Sequence, residues 1–236
     1  MVIGLLVLTA IPSVIGVAEA ISSQKQQNAQ MKEKIKFNMT ATLSIDGGPP
    51  TEAWIVLIGG RMWIDHPQAP LPGHKFNGYY FKYPSEQGYQ GLVSTISDDP
   101  PMLNWMYADK DTGAIRYGSR KETIGHVVGP WGWSEDEKFL TIDEDDWRFI
   151  AVEVEVAAGG QARKCWEVFL SRDRDGSLKP KAEREQDEDA ETNEEEEEED
   201  PFDPRFSSYR WAPIKLLRKL QLGVDSRYVG GKDNKQ

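Results

Sequence analysis

Few residues here could do covalent chemistry. Cys165 is the only cysteine among 236 residues, and the histidines number three, His66, His74 and His126. A nucleophile needs an adjacent base to activate it. Cys165 sits in the apolar run "CWEVFL", where a buried structural thiol is expected. There is no Gly-x-Ser-x-Gly elbow, and no glycine loop placed to cradle phosphate before a helix. A metal needs three or four converging ligands at close spacing. His66 and His74, at the ends of "HPQAPLPGH", do not have it. Carboxylates are plentiful at Asp98, Asp99, Asp109, Asp111 and Asp143 to Asp146. A hydrolase needs two of them facing across a cleft, but all fall where turns are expected, because aspartate bonds nearby backbone N–H groups. "DKDTG" and "DRDG" resemble calcium loops without the later ligands such a loop requires. No catalytic residue, metal ligand or cofactor is assigned on this basis.

The aromatic residues carry the positive signal. Trp54, Trp63, Trp105, Trp131, Trp133, Trp147 and Trp166 crowd the middle of the chain, with Tyr79, Tyr80, Phe81, Tyr83 and Tyr89. In "WIVLI", "MWI" and "CWEVFL" they alternate with aliphatic neighbours and belong to a core. Trp131 and Trp133, in "VGPWGWSEDEKFLTI", stand among turn formers instead. Exposed, they would stack on sugar rings or an apolar partner. Buried, they would plug one end of a barrel, which is the favoured reading because large aromatics dominate cores and an exposed pair invites adhesion. Trp131, Trp133 and Trp105 are therefore the candidate ligand or partner contacts.

The elements that must position them read as strands. "KFNMTATLSI" alternates, with Phe37, Met39, Ala41, Leu43 and Ile45 on one face. "EAWIVLIGGRMWID" is a hairpin about Gly59-Gly60, and "MLNWMYADKDTGAIRYGSR" a second, with Gly113 supplying a positive φ. "FNGYYFKYP", "YQGLVSTIS", "KFLTID", "RFIAVEVEVA" and "RKCWEVFLSRD" complete the set, the last two joined through Gly159-Gly160. Ser134 and Glu137 have capping-box spacing, which allows one helical turn. The expected class is mainly β, an antiparallel barrel or sandwich of roughly nine or ten short strands, with no internal repeat.

Charge divides the chain into four parts. Residues 1–36 are net +2 and contain the apolar run from Val2 to Ala18, ending Ala18-Glu19-Ala20. This resembles a signal peptide lacking its basic n-region. A cleaved signal, a retained membrane-associated helix and a buried apolar helix all remain open. The first two place the chain in the secretory pathway or at a membrane, the third in the cytoplasm. Asn38-Met39-Thr40 is a sequon, which makes Asn38 a glycosylation site if the chain is secreted. Residues 37–172 form the β-rich domain; its net charge of −8 over 37–171 argues against nucleic acid as a partner. Residues 173–204 form an acidic linker, expected to be disordered. Residues 205–236 are basic and contain "APIKLLRKLQLG", read as a short amphipathic helix stopped by Gly223 and able to touch a membrane or fold back on the domain.

The stretches "GYYFKYPSEQGYQGLVSTISDDPPMLNWMYADKDTGAIRYGSRKETIGHVVGPWGWSEDEKFLTI" and "MVIGLLVLTAIPSVIGVAEAISSQ" resemble a family of filamentous ascomycete fungal proteins to which no activity is assigned. The resemblance implies a fungal source and contributes no site residues. Taken together, the sequence reads as a non-catalytic β-rich binding or interaction module with an unidentified protein partner. The alternatives are a β-barrel that holds a small apolar ligand or carbohydrate through its aromatics and, least favoured, a hydrolase using turn carboxylates.

Overall fold

Residues 35–98, 101–158, 161–173, 176–180 and 204–220 are described by the computed structural model. The chain divides into two units, Met1–Ile35 and Lys36–Gln236, and all the described strands belong to the second. The alternating segments form β1 (Phe37–Leu43), β2 (Thr51–Ile58), β3 (Arg61–Asp65), β4 (His74–Lys75), β5 (Asn77–Lys82), β6 (Gln90–Asp98) and β7 (Pro101–Ala108). They continue as β8 (Ile115–Gly118), β9 (Trp131–Trp133), β10 (Leu140–Ile142), β11 (Phe149–Ala158) and β12 (Gln161–Leu170). A 3₁₀ turn at Pro204–Phe206 precedes β13 (Trp211–Pro213) and β14 (Leu216–Leu220).

Seven strands close an antiparallel barrel in the order β3-β8-β7-β6-β5-β1-β2 and back to β3. Of the two classes expected, the fold is thus the barrel. Local chemistry sets its hairpins. Gly59 and Gly60, at φ of 59° and 79°, make the two-residue turn between β2 and β3. Between β7 and β8, the Asp109 carboxylate accepts the backbone N–H groups of Asp111 and Thr112, and Gly113 turns at φ 75°. The expected face of β1 points inward, where Phe37, Met39, Ala41 and Leu43 are buried with Ile55, Met62, Phe76, Leu92, Met106 and Trp166.

Five further strands extend this ring. β12 pairs with β3, β11 runs beside β12 in a ten-pair ribbon, β13 adds to β11, and β4 pairs with β2. β1 forms a corner: Phe37 pairs with Gly78 of β5 and Thr40 with Trp54 of β2, both along one edge, while β14 takes the other.

Two expectations need correction. The basic segment 214–220 is not a helix, and no α-helix occurs among the described residues. Ile214, Leu216 and the half-buried Arg218 follow a period of two, and β14 lies antiparallel to β1 from Phe37↔Leu220 to Ala41↔Leu216. A helix this short is marginal in isolation, so the open edge of β1 decides its conformation. The Ser134–Glu137 segment is a turn as well. The Ser134 hydroxyl donates to Asp136 at 2.6 Å and accepts the Phe139 N–H, while Glu137 has a non-helical φ of 56°. Three short strands escaped the sequence reading: β4, the "WGW" of β9, which pairs with β10, and β13, which pairs with β11. The apolar N-terminal helix and most of the acidic segment lie outside the described residues. Of the linker expected over 173–204, residues 176–180 are among those described, and Leu178 is buried in the core rather than disordered.

Gly78 is where β5 meets both β6 and β1. A Cβ there would run into the Val93 carbonyl oxygen and the Phe76 ring. Gly78→Ala is expected to cost about 1–3 kcal/mol through overpacking, read as a lower urea midpoint at unchanged m-value. An unchanged midpoint would mean that β5 can move away from β6 without loss.

Candidate functional site

The three candidate tryptophans do not converge. Trp131 is 2% exposed and lies nearly parallel to Phe149, centroids 6.3 Å apart, with its indole N–H lacking a hydrogen-bond partner. Trp133 is half-buried and packs edge-on against Phe37 at 4.6 Å and Tyr80 at 5.3 Å. Trp105 is half-buried against Tyr83 and Phe81. Tyr80 is buried and Phe81 exposed, so their alternation in β5 places Trp133 and Trp105 at its opposite faces. The half-buried Asn38 donates its amide to the Phe76 carbonyl at 2.7 Å, a bond that a glycan on this nitrogen would compete with.

The histidines and turn acids are engaged in structure. The His66 ring accepts the Gln68 N–H and the His126 ring the Lys110 N–H. No group of metal-ligating side chains occurs among the described residues. Burial alone would raise the Asp109 carboxyl, but hydrogen bonds from Thr112 and Asp111 and the Arg116 charge hold it below its ordinary range. The Cys165 thiol is buried, and burial raises its pKa.

A site that sequence reasoning missed lies on the outer face of the β11–β12 ribbon. A cavity of about 380 Å³ opens there, with Arg61, Arg116, Glu167, Phe169, Phe206 and Tyr209 in its lining. Five separate parts of the chain build it. β12 contributes Glu167 and Phe169, and Val152 of β11 stands directly opposite Glu167. Arg61 and Arg116 face each other where β3 meets β8. The 3₁₀ turn supplies Phe206, which packs edge-on to Phe169 at 5.1 Å. Arg205 fastens that turn, donating to the backbone oxygens of Asp111 and Leu170. Gly113 makes room for this contact, since a Cβ there would meet the Leu170 carbonyl oxygen and the Arg205 guanidinium.

Electrostatics single out Glu167. Its side chain is 1% exposed, and one carboxylate oxygen takes Arg61 Nη1 at 3.1 Å. The other oxygen, Oε1, is buried with no hydrogen-bond partner, and so is Nε of Arg116. That Nε lies 3.4 Å from Asp109 Oδ2 without hydrogen-bond geometry. A buried polar atom left unmatched costs free energy. A donor entering the cavity would reach Oε1 only if the Glu167 side chain turned toward it, whereas an entering acceptor would meet the half-exposed Arg61. Burial raises the Glu167 carboxyl above its ordinary value, against the charge and hydrogen bond of Arg61 and the charge of Arg116. The one sequence signal was an acid inside the apolar run "CWEVFL". Its partner lies 106 residues away.

Comparison with known proteins adds one finding. The family described as a fungal beta-trefoil domain matches residues 16–195. No curated protein and no solved structure matches the chain.

The Glu167 shift fixes the sign of a pH effect. A carboxyl with a raised folded-state pKa gives stability that is complete below its ordinary value of 4.5 and is lost as pH rises through the raised value. Glu167→Gln removes that dependence. Relative to the unaltered chain, the variant is expected to gain stability between about pH 4 and about pH 7, measured by urea denaturation at both. A relative loss over the same interval would show that the Arg61 pair, not burial, dominates.

Proposed function

The chain belongs to the fungal beta-trefoil domain family, and on that premise we propose that it is a non-catalytic binding module whose cavity beside Glu167 takes a small hydroxylated ring compound of the carbohydrate class. Domains of this fold commonly bind proteins or carbohydrates, and a fungal β-barrel domain suits such a role. The observation that carries the reading is the cavity lined by Glu167, whose buried carboxylate keeps one oxygen unpartnered. Once the Glu167 side chain turns toward the cavity, a ligand hydroxyl donates to that oxygen and accepts from the half-exposed Arg61. Phe206 and Tyr209 offer apolar rims to the face of a saccharide ring, and the volume falls in the range of small-ligand pockets.

Binding is favoured over turnover because two-carboxylate hydrolysis needs a second acid facing the first. The cavity's other acid, Asp111, sits at an exposed turn, and neighbouring Asp109 is committed to backbone N–H groups.

A hydrogen bond to a charged group is worth about 1.5–3 kcal/mol, on the order of ten- to a hundredfold in affinity. Isothermal titration of the full chain against a panel of mono- and disaccharides is expected to find a binder. Glu167→Gln should weaken it at least tenfold, Phe206→Ala should weaken it too, and Trp105→Ala should not. If no saccharide binds, or if Trp105→Ala alone abolishes binding, the cavity is not the site.

A further inference from the structure

The charges of the C-terminal strand are met one by one. Lys215 Nζ lies 2.8 Å from Asp146, Arg218 Nη1 3.7 Å from Glu137, and Lys219 Nζ 2.5 Å from Glu52. The Lys219 hydrogen bond, then that of Thr40, holds the Glu52 carboxyl below its ordinary value despite some burial. Glu135 and Asp136 stand with Asp146 and Lys215 around an adjoining hollow. An acidic rim therefore surrounds a basic strand.

Inside that rim is an aromatic recess. The Arg218 guanidinium lies 4.5 Å from the Trp133 ring centroid and 5.7 Å from that of Phe37, and Tyr80 packs against both rings. Such faces attract a cation. The fit of Arg218 is imperfect: its side chain is 10% exposed and its Nε has no hydrogen-bond partner. Desolvating a guanidinium without full compensation costs free energy, so β14 fills the recess at less than full strength.

The parts differ in origin. Phe37, Tyr80, Trp133, Glu52, Glu137 and Asp146 all fall within the family-matched residues 16–195, while Ile214 to Leu220 lie beyond them. Residues 181–203 connect the filler to the domain. We propose that the β14 edge of β1, with the recess of Phe37, Tyr80 and Trp133, is a binding site for an extended basic segment of a partner protein, and that β14 occupies it in cis. The segment recognised has the pattern apolar-x-apolar-x-Arg, as in Ile214, Leu216 and Arg218. It adds a strand through backbone hydrogen bonds, with alternate side chains setting specificity. A tethered strand competes at an effective concentration on the order of millimolar, so the site is masked until a better segment arrives.

The test uses the full chain carrying Leu216→Asp, which puts a charge at a fully buried position of β14 and releases the strand. A fluorescein-labelled synthetic peptide of residues 211–220 is the probe, followed by anisotropy. It is expected to bind this variant at least tenfold more tightly than the unaltered chain, and to lose at least tenfold when its arginine is replaced by alanine. Equal binding of the alanine peptide overturns the role of the recess, and no binding to a folded variant overturns the site. Should Leu216→Asp fail to fold, hydrogen exchange on the unaltered chain decides. β14 amides are expected to exchange at least tenfold faster than those between β6 and β7, and equal protection shows that β14 opens only with the whole barrel, which overturns the proposal.

Discussion

Two places in the seven-strand ring are held by a single residue pair. Phe37 with Gly78 joins β1 to β5, and Arg61 with Arg116 joins β3 to β8. Closing a ring of short strands forces them to tilt, and the ladder thins where neighbours diverge. Each thin seam is filled from outside the ring. β12 pairs onto β3 just past Arg61, and β14 lies along β1 opposite Gly78. The cavity beside Glu167 borders the Arg61–Arg116 seam, and the aromatic recess borders the Phe37–Gly78 seam. Closure of the barrel thus leaves the cavity and the recess at its two thinnest seams.

The seams also explain the buried charges. Glu167 and Arg218 are each largely buried and each incompletely paired, and burial disfavours the charged form of both. Such groups weaken a fold compared with well-packed apolar side chains. Long side chains that span from a seam to solvent keep their cost tolerable: Arg61 reaches Glu167 from a half-exposed position, and Glu137 reaches Arg218 from an exposed turn. Neither pairing matches every donor with an acceptor, and the unmatched atoms are what a ligand or a partner segment could use.

Much of the barrel was legible in the residues. The period-two faces of β1, β11 and β12, the Gly59-Gly60 hairpin and the Asp109–Gly113 turn are local effects, set by side-chain alternation and positive φ. β4, β9 and β13 were not legible, because strands of two or three residues carry no measurable period. The tryptophan pair was legible as a feature and only partly as a function. The bulk and turn setting of Trp131 and Trp133 flagged them, yet their separation from Trp105 depends on which face of β5 each meets.

The sequence by itself determined a β-rich domain, its main hairpins, its buried core and the acidic and basic character of its parts, because these follow from neighbours within about ten residues. Tertiary structure alone decided the rest. Glu167 came to line a cavity only when Arg61, Arg116 and Phe206 were brought beside it from distant parts of the chain. The basic segment near the C-terminus could satisfy either a helical or an extended pattern, and its own residues left that choice open. The vacant edge of β1 and the rings awaiting Arg218 settled it as a strand, since backbone partners more than a hundred residues away outweigh a short segment's weak intrinsic preference.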